Sequence, residues 1–203
     1  MYWRISGKNK SSSFYFFNDS TLILLFHSVS TEEQERIEKA TRGQSTNDNW
    51  RKYRTNRLTA SNFGRVFKMR PSTECHNTVV SILYPDNIDH LPAIKYGKEQ
   101  EEAAVETLNQ ILAQNSQRKV SSCGLFVDTE TGFLAASPDG VIDEDTLVEI
   151  KCPLKCKEQS IKDLAIQDPT FCLTYEPATN KMSLKRGHNY YYQIQGQLHC
   201  AKR

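Results

Sequence analysis

No apolar run in this sequence approaches the roughly 20 residues that a bilayer-spanning helix requires. The longest, Phe14–Phe17 and Thr21–Phe26, are separated by Asn18-Asp19-Ser20. Basic residues precede the first run, as in a signal peptide. The interrupting polar residues and the want of a small-residue cleavage site argue against one. Internal repeats and low-complexity tracts are also missing. The six cysteines are irregularly spaced, so a disulfide framework is not indicated and reduced thiols in an intracellular protein, nuclear or cytoplasmic, are expected. Cys152-x-x-x-Cys156 has no second close-spaced pair to complete a zinc site, and Cys152 falls in an apolar strand. Net charge is only +2, so the overall balance does not single out a polyanionic or polycationic partner.

What is present suffices for one sizeable folded domain: 203 residues, 38% of them hydrophobic and 25% charged. Residues 1–49 read as a leader followed by a short helix, which Ser30 and Glu33 open as a capping box and which runs to about Thr41. Thr59-Ala60-Ser61 caps a helix from Asn62 to about Met69, and Val79–Leu83 suggests another. Ala93–Leu112 carries the clearest helical periodicity. Lys119–Val127 and Gly132–Ala136 read as strands, 154–187 as polar and irregular, and Asn189–Cys200 as a helix, although Tyr190-Tyr191-Tyr192 suits the start of a strand equally well. From Arg51 to Arg70 there are seven basic residues and no acid. This is a phosphate-contacting surface or simply a solvated basic helix face.

The chemistry is concentrated in Ser137-Pro138-Asp139-Gly140 and Glu149-Ile150-Lys151-Cys152-Pro153. The intervening residues read as strand, acidic turn, strand. Two antiparallel strands so joined bring Asp139 beside Glu149. Residues two apart on a strand share a face, so Glu149 and Lys151 both turn toward Asp139, while Val148, Ile150 and Cys152 turn the other way. Two carboxylates are hard-oxygen ligands for Mg²⁺. A lysine beside them can orient water or stabilise charge developing on phosphate. Each half alone is a common surface pattern; together they point to a metal-dependent phosphodiesterase.

Four blocks in order resemble the YqaJ-type viral recombinase and phage lambda exonuclease family, within the PD-(D/E)XK nuclease superfamily. They are Trp50–Arg54 through Leu58–Ser61, Tyr96–Glu101, the paired motif just described, and Tyr192–Gln195. The resemblance covers about residues 50–200. It implies an α/β, restriction-endonuclease-like core, with a central mixed β-sheet flanked by helices. By resemblance, Asp139 and Glu149 hold metal, Ile150 lends its carbonyl, Lys151 is the catalytic lysine, and Glu101 serves a second metal. Gln193 lies in the cleft, Arg54 grips a terminal 5′-phosphate, and Ser61 and Ser137 add hydroxyl contacts. Arg51 and Arg57 join the DNA-binding surface. Ile94 is a wedge for the terminal base pair or a core residue. Asp128 is a further acidic residue of uncertain register.

The activity so implied is Mg²⁺-dependent hydrolysis of DNA, with Mn²⁺ as an alternative ion, 5′ to 3′ on double-stranded ends. Implied partners are DNA ends, a single-strand annealing protein and further copies in a trimer-like ring, without a membrane. An endonuclease on the same core and an inactive DNA-binding or interaction module are the alternatives. Members of the family continue past the glutamine block with another strand and helices, so a C-terminally truncated domain is expected here.

Overall fold

The computed structural model describes residues 28–203, together with a short antiparallel strand pair, β1 (Phe14–Phe16) and β2 (Leu22–Leu24), in which Phe14 opposes Leu24. The remaining leader expectations lie outside the described residues. Helix α1 (Thr31–Ala40) forms half of the expected capping box: Ser30 Oγ accepts the Glu33 N–H at 3.2 Å, while the Glu33 carboxylate accepts from Arg36 instead of reaching back to Ser30. After a single 3-10 turn at Gln44–Thr46 come α2 (Asp48–Arg54), β3 (Leu58–Thr59) and α3 (Ala60–Phe67). Then follow α4 (His76–Leu83) and α5 (Pro92–Asn115), which opens on the proline favoured at a first helical position. Strands β4 (Phe126–Val127), β5 (Leu134–Ala136), β6 (Gly140–Ile142) and β7 (Thr146–Val148) lead to α6 (Ile161–Gln167), the hairpin β8 (Leu173–Glu176) and β9 (Lys181–Leu184), and α7 (Asn189–Ala201).

The central sheet is mixed, as expected, in the order β3-β5-β4, with β3 parallel and β4 antiparallel to β5. Its strands alternate faces. Phe126 and Ala136 join Ala60, Cys123 and Cys200 in one apolar cluster, while Leu125, Val127 and Ala135 join Ile37 in another. The free edge of β4 is covered by α1 through polar side chains rather than by another strand. Gln34 donates to the Val127 carbonyl at 2.5 Å, Thr41 Oγ accepts the Leu125 N–H at 2.8 Å, and Glu38 accepts the Gly124 N–H at 2.9 Å. Gly124 is obligatory there: a Cβ would stand 2.0 Å from the Glu38 carbonyl oxygen. Two buried polar residues of α1 and its C-cap, Thr41, thus satisfy backbone that would otherwise be orphaned.

Helix α3 lies against α7, and both α7 and β5 press on the same core. The helices meet through glycine. A Cβ on Gly196 would sit 2.4 Å from the Phe63 ring, and one on Gly64 would be 3.0 Å from the Asn189 Cα.

Several sequence expectations are corrected. The strand predicted over Lys119–Val127 is ordered as strand only at Phe126–Val127, with an isolated bridge from Ser121 to Val141. Residues 154–187, read as irregular, contain a 3-10 turn, α6 and the β8–β9 hairpin. Thr59 precedes α3 but makes no side-chain cap; its hydroxyl is 3.2 Å from Ser61 Oγ instead. The tyrosine run is helical, because His188 caps α7 by accepting the Tyr190 N–H at its side chain. All six cysteines are free, as expected of reduced thiols, and Cys200 is buried in the core. Among the described residues no helix is long and apolar enough to cross a membrane.

Candidate active site

The β6–β7 hairpin has the predicted form, turning through Asp143 in the left-handed region. Gly140 opposes Val148, so one further step of the register sets Asp139 opposite Glu149. The Asp139 N–H donates to the Val148 carbonyl at 3.0 Å, continuing the ladder. The expected strand over 147–152 nevertheless ends at Val148. There the Ile150 N–H leaves the ladder and donates to Asp139 Oδ2 at 2.5 Å. The departure itself joins the two acidic segments.

The half-buried Asp139 carboxyl is pushed up to about 7, first by burial and then by the charge of Glu149, against the opposing Ile150 N–H. The Glu149 side chain is only 8% exposed. Its Oε1 accepts hydrogen bonds from Lys151 Nζ and from Gln193 Nε2, and its Oε2 accepts one from Gln197 Nε2 at 2.5 Å. Burial by itself lowers the Lys151 amine, but Glu149 outweighs it and holds the amine above its ordinary range. Lys151 also lies 5.1 Å from the centre of the Tyr190 ring. Asp139, Glu149, Lys151 and Gln193 are therefore gathered as the sequence indicated.

The donor set suits a divalent cation. Two carboxylates stand opposite one another in a partly desolvated site, and a cation held by them would offset the burial and the repulsion that raise Asp139. Mg²⁺ ordinarily takes one or two protein carboxylates and keeps several waters. Glu101 stands apart, exposed on α5, and reaches Asp139 through its field only. Among the described residues no three of His, Cys, Asp and Glu cluster tightly enough to hold a metal together.

The loop entering Asp139 is braced from the N-terminal side. Gln44 Nε2 donates to the Pro138 carbonyl at 2.6 Å, and the Trp50 indole N–H donates to Ser137 Oγ at 2.8 Å. Because that oxygen accepts from Trp50, the serine's own proton is free to be donated elsewhere. The Arg54 guanidinium lies 4.1 Å from the centre of the Trp50 ring. Among the described residues it has no acidic partner, and burial pulls it down to about 10. Arg54, Ser61, Ser137, Gln193 and Gln197 line one pocket of about 120 Å³. The expected anion-binding residues thus share a cavity that also touches the two glutamines on Glu149.

Other assignments fall elsewhere. Arg57 donates to the carbonyls of Tyr53 and Gly132, and Arg51 pairs with Asp48 at 3.0 Å and donates to the Ser45 carbonyl. These contacts make both arginines braces of the 45–57 segment, and neither lines the pocket. Ile94 is half-buried in the first turn of α5, outside the core clusters. Asp128 opposes Leu134 at the far end of β5, five residues and so roughly 16 Å of extended chain from Asp139. It caps its own turn by accepting from Thr131 N and Oγ1, with Lys202 at 3.3 Å and His199 at 3.4 Å. Gln197, Gln44 and Trp50 were not singled out as site residues from the sequence. Only Trp50 left a signal there, four residues before Arg54 at helical spacing.

Fold and site together define a class: an α/β domain with a restriction-endonuclease-like core that carries an Asp/Glu/Lys cluster at the mouth of a hairpin. The family follows from comparison. Residues 49–203 match the YqaJ-like viral recombinase domain, and the chain belongs to that family. It is 29% identical over 184 residues to the alkaline nuclease of Autographa californica nuclear polyhedrosis virus, across 81% of this chain and 41% of the relative. It is 25% identical over 199 residues to the alkaline nuclease of Orgyia pseudotsugata multicapsid polyhedrosis virus, across 86% of this chain and 42% of that one. The chain therefore spans less than half the length of these curated relatives. Its fold is similar to the alkaline exonuclease LHK-Exo of Laribacter hongkongensis, with a TM-score of 0.50 at 23% identity, over 76% of this chain and 68% of the other. LHK-Exo in complex with dAMP gives a TM-score of 0.51 at 22% identity, with the same coverage.

Proposed function

We propose that this chain carries the centre of a Mg²⁺-dependent deoxyribonuclease acting 5′ to 3′ on double-stranded DNA ends. The carrying observation is the juxtaposition of the Asp139–Glu149–Lys151 cluster with the Arg54 pocket across one wall, formed by Gln193 and Gln197. Similarity to alkaline nucleases, and in fold to an alkaline exonuclease, supports the substrate class. The small pocket favours an exonuclease over an endonuclease, because a confined site with a guanidinium that lacks an acidic partner among the described residues suits a terminal phosphate better than a continuous backbone.

Asp139 and Glu149 would hold Mg²⁺, with the Ile150 carbonyl and water completing the shell. When bound, the ion supplies charge neutralisation at the phosphate and a more acidic water. Lys151, kept charged by Glu149, orients the attacking water and stabilises negative charge as the phosphate becomes five-coordinate. Gln193 fixes Glu149 Oε1. Arg54 donates to the terminal phosphate from its seat on Trp50, and Ser137, its own acceptor position occupied by Trp50, donates its proton there. Ser61 at the start of α3 adds a hydroxyl and nearby free backbone N–H groups.

Purified protein with Mg²⁺ is expected to shorten linear duplex DNA and leave closed circles intact, and chelator should stop the reaction. Lys151→Ala should lower kcat by about 10²–10³-fold without loss of folding. Equal degradation by that variant would remove Lys151 from the reaction, and cleavage of circles would favour the endonuclease.

A further inference from the structure

Gln197 is 1% exposed, on the inner face of α7. A buried amide pressed against a carboxylate has one workable orientation. Its NH₂ must face the carboxylate, because the reverse sets oxygen against oxygen. The contact is 2.5 Å, from Gln197 Nε2 to Glu149 Oε2.

The two oxygens of Glu149 are not equivalent. Each offers about two lone-pair directions. Both directions on Oε1 are taken, by Lys151 Nζ and Gln193 Nε2. Oε2 accepts from Gln197 alone among the described residues, so it keeps an open direction. An incoming cation would meet Oε2, and Gln197 is the group that sets where the open direction points. Gln197 cannot drift, because the preceding Gly196 packs α7 against Phe63 and Ala60 of α3.

We infer that Gln197 is a positioning residue that holds the Glu149 carboxylate so that Oε2 is presented to a divalent cation. This deepens the nuclease reading and rests on it. Nothing in the sequence motif marks the residue, since the glutamine block ends two positions before it. Gln193 differs in kind, holding the oxygen that is already saturated.

Gln197→Met keeps the length and volume of the side chain and removes its N–H donors. The readout is calorimetric titration of Mg²⁺ into DNA-free protein, with the melting temperature in chelator measured in parallel. Hydrogen-bond partners of metal ligands typically change metal affinity by 10- to 100-fold. The variant is expected to bind Mg²⁺ at least about tenfold more weakly, and to melt somewhat lower in chelator, because a buried carboxylate loses a donor, while staying fully folded at the temperature of the titration. The Mg²⁺ concentration for half-maximal cleavage should rise by a similar factor while KM for DNA stays put. Gln197→Asn, which withdraws the amide by one methylene, should show the same pattern and serves where the methionine variant fails to fold. Parent-like Mg²⁺ affinity in a folded variant would overturn the inference and leave the nuclease reading standing. If instead the parent binds Mg²⁺ no better than Glu149→Gln does, the metal site itself falls, and the inference with it.

Discussion

The raised carboxyl of Asp139 makes a thermodynamic demand on the metal-free protein that can be measured without any substrate. In the unfolded chain this group titrates near 3.8, and in the folded chain near 7. Between those values the folded state binds more protons than the unfolded state, so stability must fall as pH rises through this window. The penalty is absent below the lower value and complete above the upper one. The full linkage value is about 4 kcal/mol, and partial solvent access to the half-buried group reduces it to about 2 kcal/mol. For a domain of this size that corresponds to roughly 4–8 °C in melting temperature. Asp139→Asn isolates the effect, because the amide oxygen can still accept the Ile150 N–H while the charge is gone. In chelator, parent and variant should melt together near pH 3, below the lower value, whereas at pH 8 the variant should melt about 4–8 °C higher. Adding Mg²⁺ at pH 8 should raise the parent and leave the variant nearly unmoved. Parallel pH profiles for the two proteins in chelator would refute the reasoning, by showing that Glu149 and burial do not act on Asp139 as the geometry requires.

Other outcomes bear on separate parts of the molecule. Gly124→Ala forces a methyl into the Glu38 carbonyl oxygen, at 2.0 Å in the undisturbed geometry, and should cost more than about 3 kcal/mol in urea unfolding. Gln34→Leu strips donors from the Val127 and Cys200 carbonyls and should cost about 2 kcal/mol, read by thermal melting. Arg54→Met should reduce kcat/KM on 5′-phosphorylated duplex ends by about 10- to 100-fold and hardly change it on 5′-hydroxyl ends. An equal loss on both ends would remove Arg54 from the terminal phosphate.

The acidic hairpin was legible because its determinants are local: alternation fixes which side chains share a face, and a short turn fixes the register. The clustering of Glu149 and Lys151 follows from that alternation even though the strand stops at Val148. The pairing of Arg54 with Ser61 and Ser137 came from resemblance, since residues so distant in sequence meet only through the packing of α2, α3 and the β5 end. Gln197 and Gln34 stayed hidden for a physical reason. A glutamine on a helix reads as solvated, and only tertiary structure reveals that its partner is a carboxylate or an edge-strand carbonyl. Asp128 illustrates the converse. An acid near a motif looked chemical, yet it caps a turn at the opposite end of β5.

The glycine contact between α3 and α7 has a consequence for product size. One of these helices bears Ser61 and borders the Arg54 pocket, and the other bears the glutamines on Glu149. With Gly64 and Gly196 at their interface, the two helices interlock like the jaws of a fixed gauge. Under the proposed activity, the interval from the gripped terminus to the bond that breaks is cast when the chain folds. That spacing then depends on the backbone as well as on Arg54 itself, so prying those jaws apart would alter it without exchanging any residue that touches DNA.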